Sequence, residues 1–338
     1  MSMTSKRDFK QLLREIAVLG EESLAMQRPG PAGIPLRQLG KTGEWVSLIG
    51  LGGYDCVVEK TDEEAIAFMR EAFDLGITFW DNCWEYHDGR AEDLMGRAIA
   101  EGSIRDEIFL MTKICAREYA GFHRQLDDSL RRLKTDCIDL VQLHSIQYPG
   151  DRERHYDPDN GAMKAALEAL AAGKFRYLGF TGHMDPLDHM GMLGTPYDWA
   201  AVQFPLNVVD ALLETGFQSL VLPECRQRNI GTIAMKSLAA NNGRIPNELK
   251  LNGELCRQYV MSLPISTLVC GIQTQEQLYR MVDAARGFKP LDIGQIESLL
   301  MPGSVAENVL FLEEYKDRRG PFGCTYHAGV WNAEQSAG

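Results

Sequence analysis

Four polar residues that follow successive apolar runs carry the functional groups that reduction of a carbonyl requires. Asp81 follows one run, Tyr86 lies five residues later, and Lys113 and His144 follow the next two runs. Carbonyl reduction needs a hydride donor and an acid that protonates the developing alkoxide, and a phenol can donate that proton. The residue types therefore predict a proton-donor site.

Each of the four residues has a specific expected role. The phenol of a free tyrosine has a pKa of about 10, so we expect Lys113 to lower the pKa of Tyr86 by favouring its phenolate. Asp81 is expected to hold Lys113 charged and in place, and His144 to orient the carbonyl or relay the proton. Taken singly, each residue also fits a structural role, such as helix capping for Asp81 or packing for Tyr86. If the four residues do not form a site, all four of these structural interpretations must hold at the same time.

The elements that position these residues are eight repeats of a short apolar run followed by an amphipathic segment. The repeats occupy Val46 to Ala285. Their apolar runs, each predicted to be one strand, include Val46 to Gly50, Ile138 to Leu143 and Gly231 to Met235, and the first amphipathic segment predicts a helix over Asp62 to Asp74. Continuous apolar runs are typical of buried parallel strands, and eight such units predict a (β/α)8 TIM barrel. Catalytic groups of such barrels lie at the carboxyl ends of the strands. A doubly wound open sheet is the main alternative, but Gly50-Leu-Gly-Gly53 lacks the GxGxxG spacing of its phosphate loop.

Two further elements precede the predicted barrel. Apolar residues at helical spacing predict an extra N-terminal helix over Arg7 to Met26, which ends at a Pro- and Gly-rich breaker. Ile34 to Val46, with a turn at Lys41-Thr-Gly43, predicts an N-terminal β-hairpin. We therefore divide the chain into a helical extension, 1–33, and a barrel domain, 34–338, with a C-terminal substrate loop.

Composition excludes several classes of function. The 338 residues are 45% hydrophobic and carry a net charge of −12, which argues against nucleic acid because phosphate requires a basic face. Without a run of about 18 apolar residues, no membrane span is expected. The closest of the eight cysteines in sequence are Cys256 and Cys270. This spacing predicts neither a metal site nor a disulfide framework, and it favours a reducing cytoplasm.

Several segments resemble the signature of the aldo-keto reductase family. They are Trp80-Asp-Asn-Cys-Trp-Glu-Tyr86, Gly89-Arg-Ala-Glu92, Leu94-Met-Gly-Arg-Ala98, Met111-Thr-Lys113 and Asp136-Cys-Ile-Asp-Leu-Val-Gln-Leu-His144. All four candidate catalytic residues match the family's positions. The resemblance extends over most of the chain. It implies hydride transfer between a nicotinamide cofactor and a small-molecule carbonyl or the corresponding alcohol.

The same resemblance implies a set of cofactor-binding positions. Thr181 and Gln203 are expected on the nicotinamide carboxamide, and Lys236 with Ser237 near the pyrophosphate. The implied set is Thr181, Gly182, Gln203, Met235, Lys236, Ser237, Gly271, Gln273, Gln277 and Arg280.

This chain departs from the family at several of those positions. Gly182 stands where relatives have an asparagine, and Met235 where many stack an aromatic ring. Gln273 stands where a basic residue often binds the 2′-phosphate, and Arg280 is expected to supply the missing charge. Family habit favours NADP(H), and NAD(H) stays open.

Aromatic residues are the candidates for the substrate wall. Tyr54, Trp84 and Tyr148 are expected to line the mouth, together with the tail residues Phe322, Tyr326, His327 and Trp331. The segment 148–160 is expected to form a substrate loop. Such a wall suits a sugar-like substrate. Two alternatives stay open: a sugar dehydrogenase or epimerase that retains its cofactor, and a redox-sensing regulatory subunit, for which Gly182 and the altered adenosine end leave room. The sequence does not predict an oligomeric state.

Overall fold

A computed structural model of the chain describes residues 9–239, 243–305 and 310–317. Eight parallel strands close into a barrel in chain order, because the last strand pairs with the first. They are β4 (Ile49–Gly52), β5 (Phe79–Asp81), β6 (Phe109–Ile114), β7 (Ile138–Leu143), β8 (Phe175–Thr181), β9 (Ala201–Pro205), β10 (Gly231–Met235) and β11 (Thr267–Cys270). The predicted (β/α)8 barrel is confirmed.

The strands form where the sequence is apolar on both faces. Every residue of β5, β6, β7, β9 and β10 is buried, as expected for parallel strands covered by helices outside and side chains inside. The amino end of the barrel is closed by a cluster that includes Phe79, Phe109 and Ile233 together with Leu39 and Val46 from the N-terminal sheet. The carboxyl end is therefore the end available for a site.

Helices cover the barrel in the predicted order. They are α2 (Asp62–Asp74), α3 (Arg90–Gly102), α4 (Tyr119–Leu133), α5 (Asp151–His155), α6 (Ala162–Ala171), α7 (Pro186–Leu193), α8 (Phe217–Gln227), α9 (Arg244–Leu249), α10 (Gly253–Met261), α11 (Gln275–Arg286) and α12 (Ile293–Ser304). Capping boxes begin α2, α11 and α12. None of the helices within the described ranges is long and apolar enough to cross a bilayer.

The short helices α5 and α9 were not predicted. The segment 148–160 was expected to be a loop, but Asp151 Oδ2 accepts from the backbone amides of Gln147 and Tyr148 over 3.0 and 2.9 Å. Asp151 also pairs with the buried Arg117 over 2.9 Å. Helix α5 is therefore held by a buried ion pair that forms only in the folded barrel. The local sequence does not predict this helix.

The N-terminal region contains one strand more than predicted. Helix α1 (Phe9–Ala25) agrees with the expected helix, and β2 (Leu36–Gln38) and β3 (Trp45–Ser47) form the expected hairpin. The breaker itself contributes β1 (Gln27–Arg28), which pairs antiparallel with β2. The apolar run 46–50 was also misjudged as one strand, because β3 ends at Ser47 and barrel strand β4 begins at Ile49.

The extra helix shares its packing with the barrel. Leu12, Leu13 and Ile16 of α1 belong to the main hydrophobic core. Buried Arg37 of β2 donates to the carbonyl oxygens of Leu263 and Ile265, both over 3.1 Å, and to the side-chain hydroxyl of Ser23 in α1 over 3.2 Å. These contacts join the extension to the amino end of the barrel. The domain boundary at residue 33 stays a prediction.

Candidate active site

A buried ion pair between Lys113 and Asp81 lies at the carboxyl end of the barrel. Asp81 ends β5, Lys113 lies on the neighbouring β6, and both are at most 3% exposed. The Lys113 ammonium donates to Asp81 Oδ1 and, over 2.7 Å, to the carbonyl oxygen of Asn82. Gln203 Nε2 donates to Asp81 Oδ2 over 3.1 Å. Because a buried charge is stable only when it is paired and hydrogen-bonded, this network fixes the position of the ammonium.

Tyr86 presents its hydroxyl to this ammonium. Lys113 Nζ lies 3.4 Å from Tyr86 Oη. The chain reverses directly after Tyr86 through three residues with positive φ, His87, Asp88 and Gly89. A Cβ at Gly89 would lie 2.2 Å from the guanidinium carbon of Arg132, so only glycine fits there without a shift of that side chain. This turn sets the direction of the phenol.

The pKa of Tyr86 moves in the direction opposite to the one expected. Burial raises the pKa of the Tyr86 phenol well above its ordinary value of 10, and the negative charge of Asp81 raises it further. The net shift is the reverse of the one expected from Lys113, because burial and the Asp81 carboxylate outweigh the effect of the ammonium on this pKa. A high pKa keeps the phenol protonated at neutral pH, which is the form that a proton donor needs.

His144 completes the group. It follows β7 directly, and its ring packs edge-on against Tyr86 with the ring centres 6.4 Å apart. Its Nδ1 atom lies 3.3 Å from Glu85 Oε1. Cys83 Sγ and Cys115 Sγ also approach the same nitrogen, over 3.4 and 3.2 Å. The structure thus brings the four predicted catalytic residues together at one rim.

Unpartnered polar atoms lie beside that group, at the ends of β8 and β9. Thr181 Oγ1, Gln203 Oε1 and His183 Nδ1 are buried and have no hydrogen-bond partner within the described part of the chain. Buried polar groups are normally hydrogen-bonded. A hydroxyl, an acceptor oxygen and an imidazole nitrogen fit the amide of a nicotinamide ring, so the residues present are compatible with that group.

Gly182 leaves no room for the asparagine side chain that the resemblance implies at this position. A Cβ at this position would lie 2.5 Å from the carbonyl oxygen of Ile146 and 2.8 Å from the ring of His189. The next residue, His183, was not predicted as a site residue, although its buried Nδ1 atom has no hydrogen-bond partner within the described residues. A histidine directly after the Gly-Phe-Thr-Gly segment was the available signal.

Three predicted cofactor residues follow β10 or end it. Met235 and Ser237 are each 7% exposed. Lys236 lies between them in the left-handed region, at φ 58°. Burial lowers the pKa of Lys236, while the Asp55 carboxylate acts to raise it. Asp55 and Lys113 are the charged groups that act on this ammonium, and a pyrophosphate beside it would offset the cost of its desolvation.

The residues predicted to bind the adenosine end of the cofactor lie around Asp55 and the N-terminal cap of α11. A Cβ at Gly271 would lie 2.3 Å from Asp55 Oδ2, and Gln273 Nε2 donates to Asp55 Oδ1 over 3.1 Å. Gln277 Oε1 accepts from the amides of Gln273 and Thr274 over 2.8 and 3.3 Å. Those two amides are therefore already used within the cap of α11.

Arg280 lies one turn further along α11, on the surface. It pairs with Glu276 over 2.6 Å and approaches Glu254 over 3.7 Å. Arg257 and Arg280 line one open cleft with Gln277, between the starts of α10 and α11. Two guanidinium groups thus line this cleft, and the assignment of Arg280 to the cofactor stays a prediction.

The aromatic candidates for the substrate wall differ in their exposure and in the groups that they contact. Tyr54 is half exposed and packs edge-on against Tyr86, with ring centres 5.2 Å apart. The Trp84 indole nitrogen donates instead to Asp128 of α4 over 3.4 Å. Tyr148 is buried where the chain leaves β7. The tail candidates Phe322, Tyr326, His327 and Trp331 lie outside the described residues.

The described C-terminal segment, 310–317, supplies part of the rim that the sequence did not reveal. Asn207, two residues after β9, donates to Glu313 Oε1 over 2.9 Å and to Tyr315 Oη over 3.0 Å. The Tyr315 ring lies 6.3 Å from that of His183. The Lys236 ammonium lies 5.9 Å from the centre of the Tyr315 ring. The segment therefore walls the side of the site formed by β8, β9 and β10.

Replacing Thr181 by valine is expected to weaken cofactor binding without destabilising the fold. Valine preserves the shape and removes an unpartnered hydroxyl, so the melting temperature should stay or rise. Loss of one hydrogen bond to the carboxamide should raise Kd for NADPH about tenfold, measured by fluorescence titration. Thr267→Val is the matched control, because its buried hydroxyl is also unpartnered but lies at the start of β11. Equal Kd values for both variants would contradict the assignment.

Comparison with known proteins agrees with this geometry. The sequence model described as "Aldo/keto reductase family" matches residues 48–254. The chain is 26% identical over 223 residues to L-galactose dehydrogenase of Arabidopsis thaliana, covering 61% of this chain and 66% of that protein. It is 31% identical over 221 residues to an NADP(+) aldo-keto reductase of Schizosaccharomyces pombe, with 61% of each chain covered. The match thus spans less than two thirds of either relative.

Solved structures share the fold. An aldo-keto reductase of Bacillus halodurans superposes with a TM-score of 0.66 at 21% identity, covering 84% of this chain and 100% of that one. An aldo/keto reductase of Klebsiella pneumoniae, solved with NADP and acetate, superposes with a TM-score of 0.62 at 23% identity, covering 80% and 96%. The family match extends over more than half of the chain and ends beyond the candidate site residues of β5 to β10. The chain therefore belongs to the aldo/keto reductase family.

Proposed function

We propose that the chain interconverts an aldehyde or ketone and the corresponding alcohol, with NADP(H) as the hydride carrier. One observation carries the proposal: the Lys113–Asp81 pair contacts the Tyr86 hydroxyl at the barrel rim that also holds the unpartnered Thr181 and Gln203 oxygens. A proton donor and an amide-binding corner thus adjoin each other. Bound there, the nicotinamide would supply or accept the hydride.

The protein's own groups then have separate tasks. Tyr86 donates its phenolic proton to the substrate oxygen, and the Lys113 ammonium stabilises the phenolate that remains, 3.4 Å away. Asp81 and the Asn82 carbonyl oxygen hold the ammonium in place. The His144 ring, edge-on to Tyr86, orients the substrate oxygen. All of these residues lie together at the same rim of the barrel.

The choice of NADP(H) rests on charge and on similarity. Lys236 offers a half-buried ammonium to a pyrophosphate, and Arg257 and Arg280 line the cleft at the starts of α10 and α11. Two proteins similar to this chain carry NADP in their descriptions. We expect NADPH to bind more tightly than NADH, with the difference reduced in Arg280→Ala.

The substrate is proposed to be small and polar. Tyr54, beside Tyr86, is exposed at the mouth, and relatives include an L-galactose dehydrogenase and a methylglyoxal reductase of Escherichia coli. The direct test is parallel titration with NADPH and NADH, followed by assays with methylglyoxal and with galactose. Binding of NADPH together with turnover of either probe supports the proposal. Absence of binding of both cofactors would overturn it.

The pH dependence should differ between the two directions of reaction. Because burial raises the pKa of Tyr86, the phenol stays protonated, and kcat for reduction should be flat between about pH 7 and about pH 9. Alcohol oxidation needs the phenolate and should rise about tenfold per pH unit in the same range. Steady-state rates in a constant-ionic-strength buffer test both slopes. A reduction rate that falls tenfold per unit above pH 7 would contradict the raised pKa.

A further inference from the structure

Four side chains with metal-binding atoms converge behind the candidate proton donor. The ligand atoms of Cys83, Glu85, Cys115 and His144 all lie within 4.8 Å of one another. Their residues come from the loop after β5, the end of β6 and the end of β7. The two cysteines are 32 residues apart in sequence and meet only because these strands are neighbours. The cluster therefore belongs to the barrel rim and has no motif in the sequence.

The distances suit a tetrahedral zinc ion. Usual Zn–S, Zn–N and Zn–O lengths place ligand sulfur and nitrogen about 3.6 Å apart, and nitrogen and oxygen about 3.3 Å apart. His144 Nδ1 lies 3.4 and 3.2 Å from the two sulfurs and 3.3 Å from Glu85 Oε1. The other pairs of ligand atoms lie within 4.8 Å of one another, so shifts of about 1 Å would place all four atoms on one ion.

More groups approach His144 Nδ1 than this atom can hydrogen-bond at one time. A neutral ring nitrogen has one lone pair or one hydrogen, so it makes one good hydrogen bond. Here two thiols and a carboxylate all approach the same nitrogen within 3.4 Å. A cation at the centre would receive a lone pair from each of the four groups, which removes the competition.

The chemistry of the donors selects the metal. Two sulfurs exclude Mg²⁺ and Ca²⁺, which prefer oxygen, and a set of sulfur, nitrogen and oxygen donors is typical of zinc. Both cysteines are fully buried, and the His144 and Glu85 side chains are 5% and 13% exposed. All four coordination positions come from the protein, as in closed structural sites.

The backbone holds the ligands in place independently of any ion. Arg117 Nη1 donates to the carbonyl oxygens of Cys115 and His144 over 2.8 and 2.7 Å. The Cys83 amide donates to Asn82 Oδ1 over 2.9 Å. Arg117 is itself fixed by Asp151. Such preorganisation lowers the entropic cost of binding a metal.

We propose that Cys83, Glu85, Cys115 and His144 bind one Zn²⁺ ion. Binding replaces the two thiol protons, which pass to solvent, and no electron is transferred. Ligation through Nδ1 leaves the ring hydrogen of His144 on Nε2. Resting on the proposed function, this means that the zinc fixes the tautomer that donates a hydrogen bond to the substrate oxygen.

Metal analysis and cobalt spectroscopy test the site without using activity. The full chain, purified without chelators and dialysed against ZnCl2, should retain about one zinc per chain by plasma mass spectrometry. Replacement by CoCl2 should give the visible bands of tetrahedral cobalt and a near-ultraviolet thiolate-to-cobalt band. In Cys83→Ser/Cys115→Ser, zinc affinity should fall at least about 100-fold and the thiolate band should vanish.

A matched double variant controls for loss of buried thiols. Cys225 and Cys256 are also fully buried but lie in α8 and α10, so Cys225→Ser/Cys256→Ser should retain zinc and the cobalt bands. If Cys83→Ser/Cys115→Ser does not fold, the cobalt spectra of the wild-type chain and of Glu85→Gln test the zinc site instead.

Three results would overturn the proposal. They are zinc below about a tenth of an equivalent after dialysis, cobalt spectra without a thiolate band, and a Cys83–Cys115 disulfide in protein purified under reducing conditions. Metal content and NADPH binding are measured separately, so failure of the zinc site is distinguishable from failure of the redox function.

Discussion

Tyr86→Phe is expected to lower kcat for carbonyl reduction by about 10³-fold or more while leaving Kd for NADPH unchanged. The variant removes only the hydroxyl that donates the proton, and general acid catalysis by a placed side chain contributes about 10² to 10⁴. The hydroxyl lies 3.4 Å from the Lys113 ammonium, so its role in transition-state stabilisation is lost as well. Stopped-flow measurement of NADPH oxidation, alongside fluorescence titration, separates the two parameters.

Tyr259→Phe is the control for this variant. Tyr259 is fully buried in α10 and donates to Gln218 over 2.9 Å, so its loss costs a comparable hydrogen bond away from the rim. Its kcat should be that of the wild type. Equal losses of activity in both variants would show that Tyr86 acts through stability and not as the acid.

Lys113→Met is expected to damage both stability and activity. Removing the ammonium leaves the Asp81 carboxylate buried without its cation, which should lower the free energy of unfolding by about 3–5 kcal/mol. Adding Asp81→Asn removes that uncompensated charge, so the double variant should recover most of the stability but none of the activity. Urea unfolding and kcat for reduction are measured on the two single variants and the double variant.

An exposed pair provides the comparison for Lys113→Met. Lys174 pairs with Asp127 over 2.6 Å, with 36% and 59% of their side chains exposed. Exposed pairs contribute little, so Lys174→Met should change the free energy of unfolding by no more than about 0.5 kcal/mol. If the double variant at positions 81 and 113 regained activity, the pair would have only a structural role.

The sequence predicted the fold because apolar runs and helical spacing are local signals. The bounds of β7, β10 and α2 agree with those expected. The run 46–50 was misjudged because the strand ending at Ser47 and the one beginning at Ile49 are both apolar. Catalytic groups of (β/α)8 barrels lie at the carboxyl ends of the strands. This rule was enough to predict that Asp81, Tyr86, Lys113 and His144 lie together at one rim.

Other parts of the site depend on long-range contacts that no local pattern reveals. The spacing of the cysteines predicted no metal site, yet Cys83 and Cys115 both approach His144 because three consecutive strands lie side by side. The raised pKa of Tyr86 likewise results from burial. The types of the neighbouring charged residues do not reveal this burial. The sequence thus indicates which residue types meet at the rim, but not the direction in which the pKa of Tyr86 moves.

Transfer of deuterium from the cofactor to the substrate is the most direct test of the central claim. The wild-type chain is incubated with NADPH that carries deuterium at the transferable C4 position and with methylglyoxal, and the alcohol product is examined by mass spectrometry. We predict one deuterium bound to the former carbonyl carbon, and no labelled product from Tyr86→Phe in the same time. Unlabelled alcohol from the wild-type chain, or equal labelling by both proteins, would contradict hydride transfer with Tyr86 as the acid.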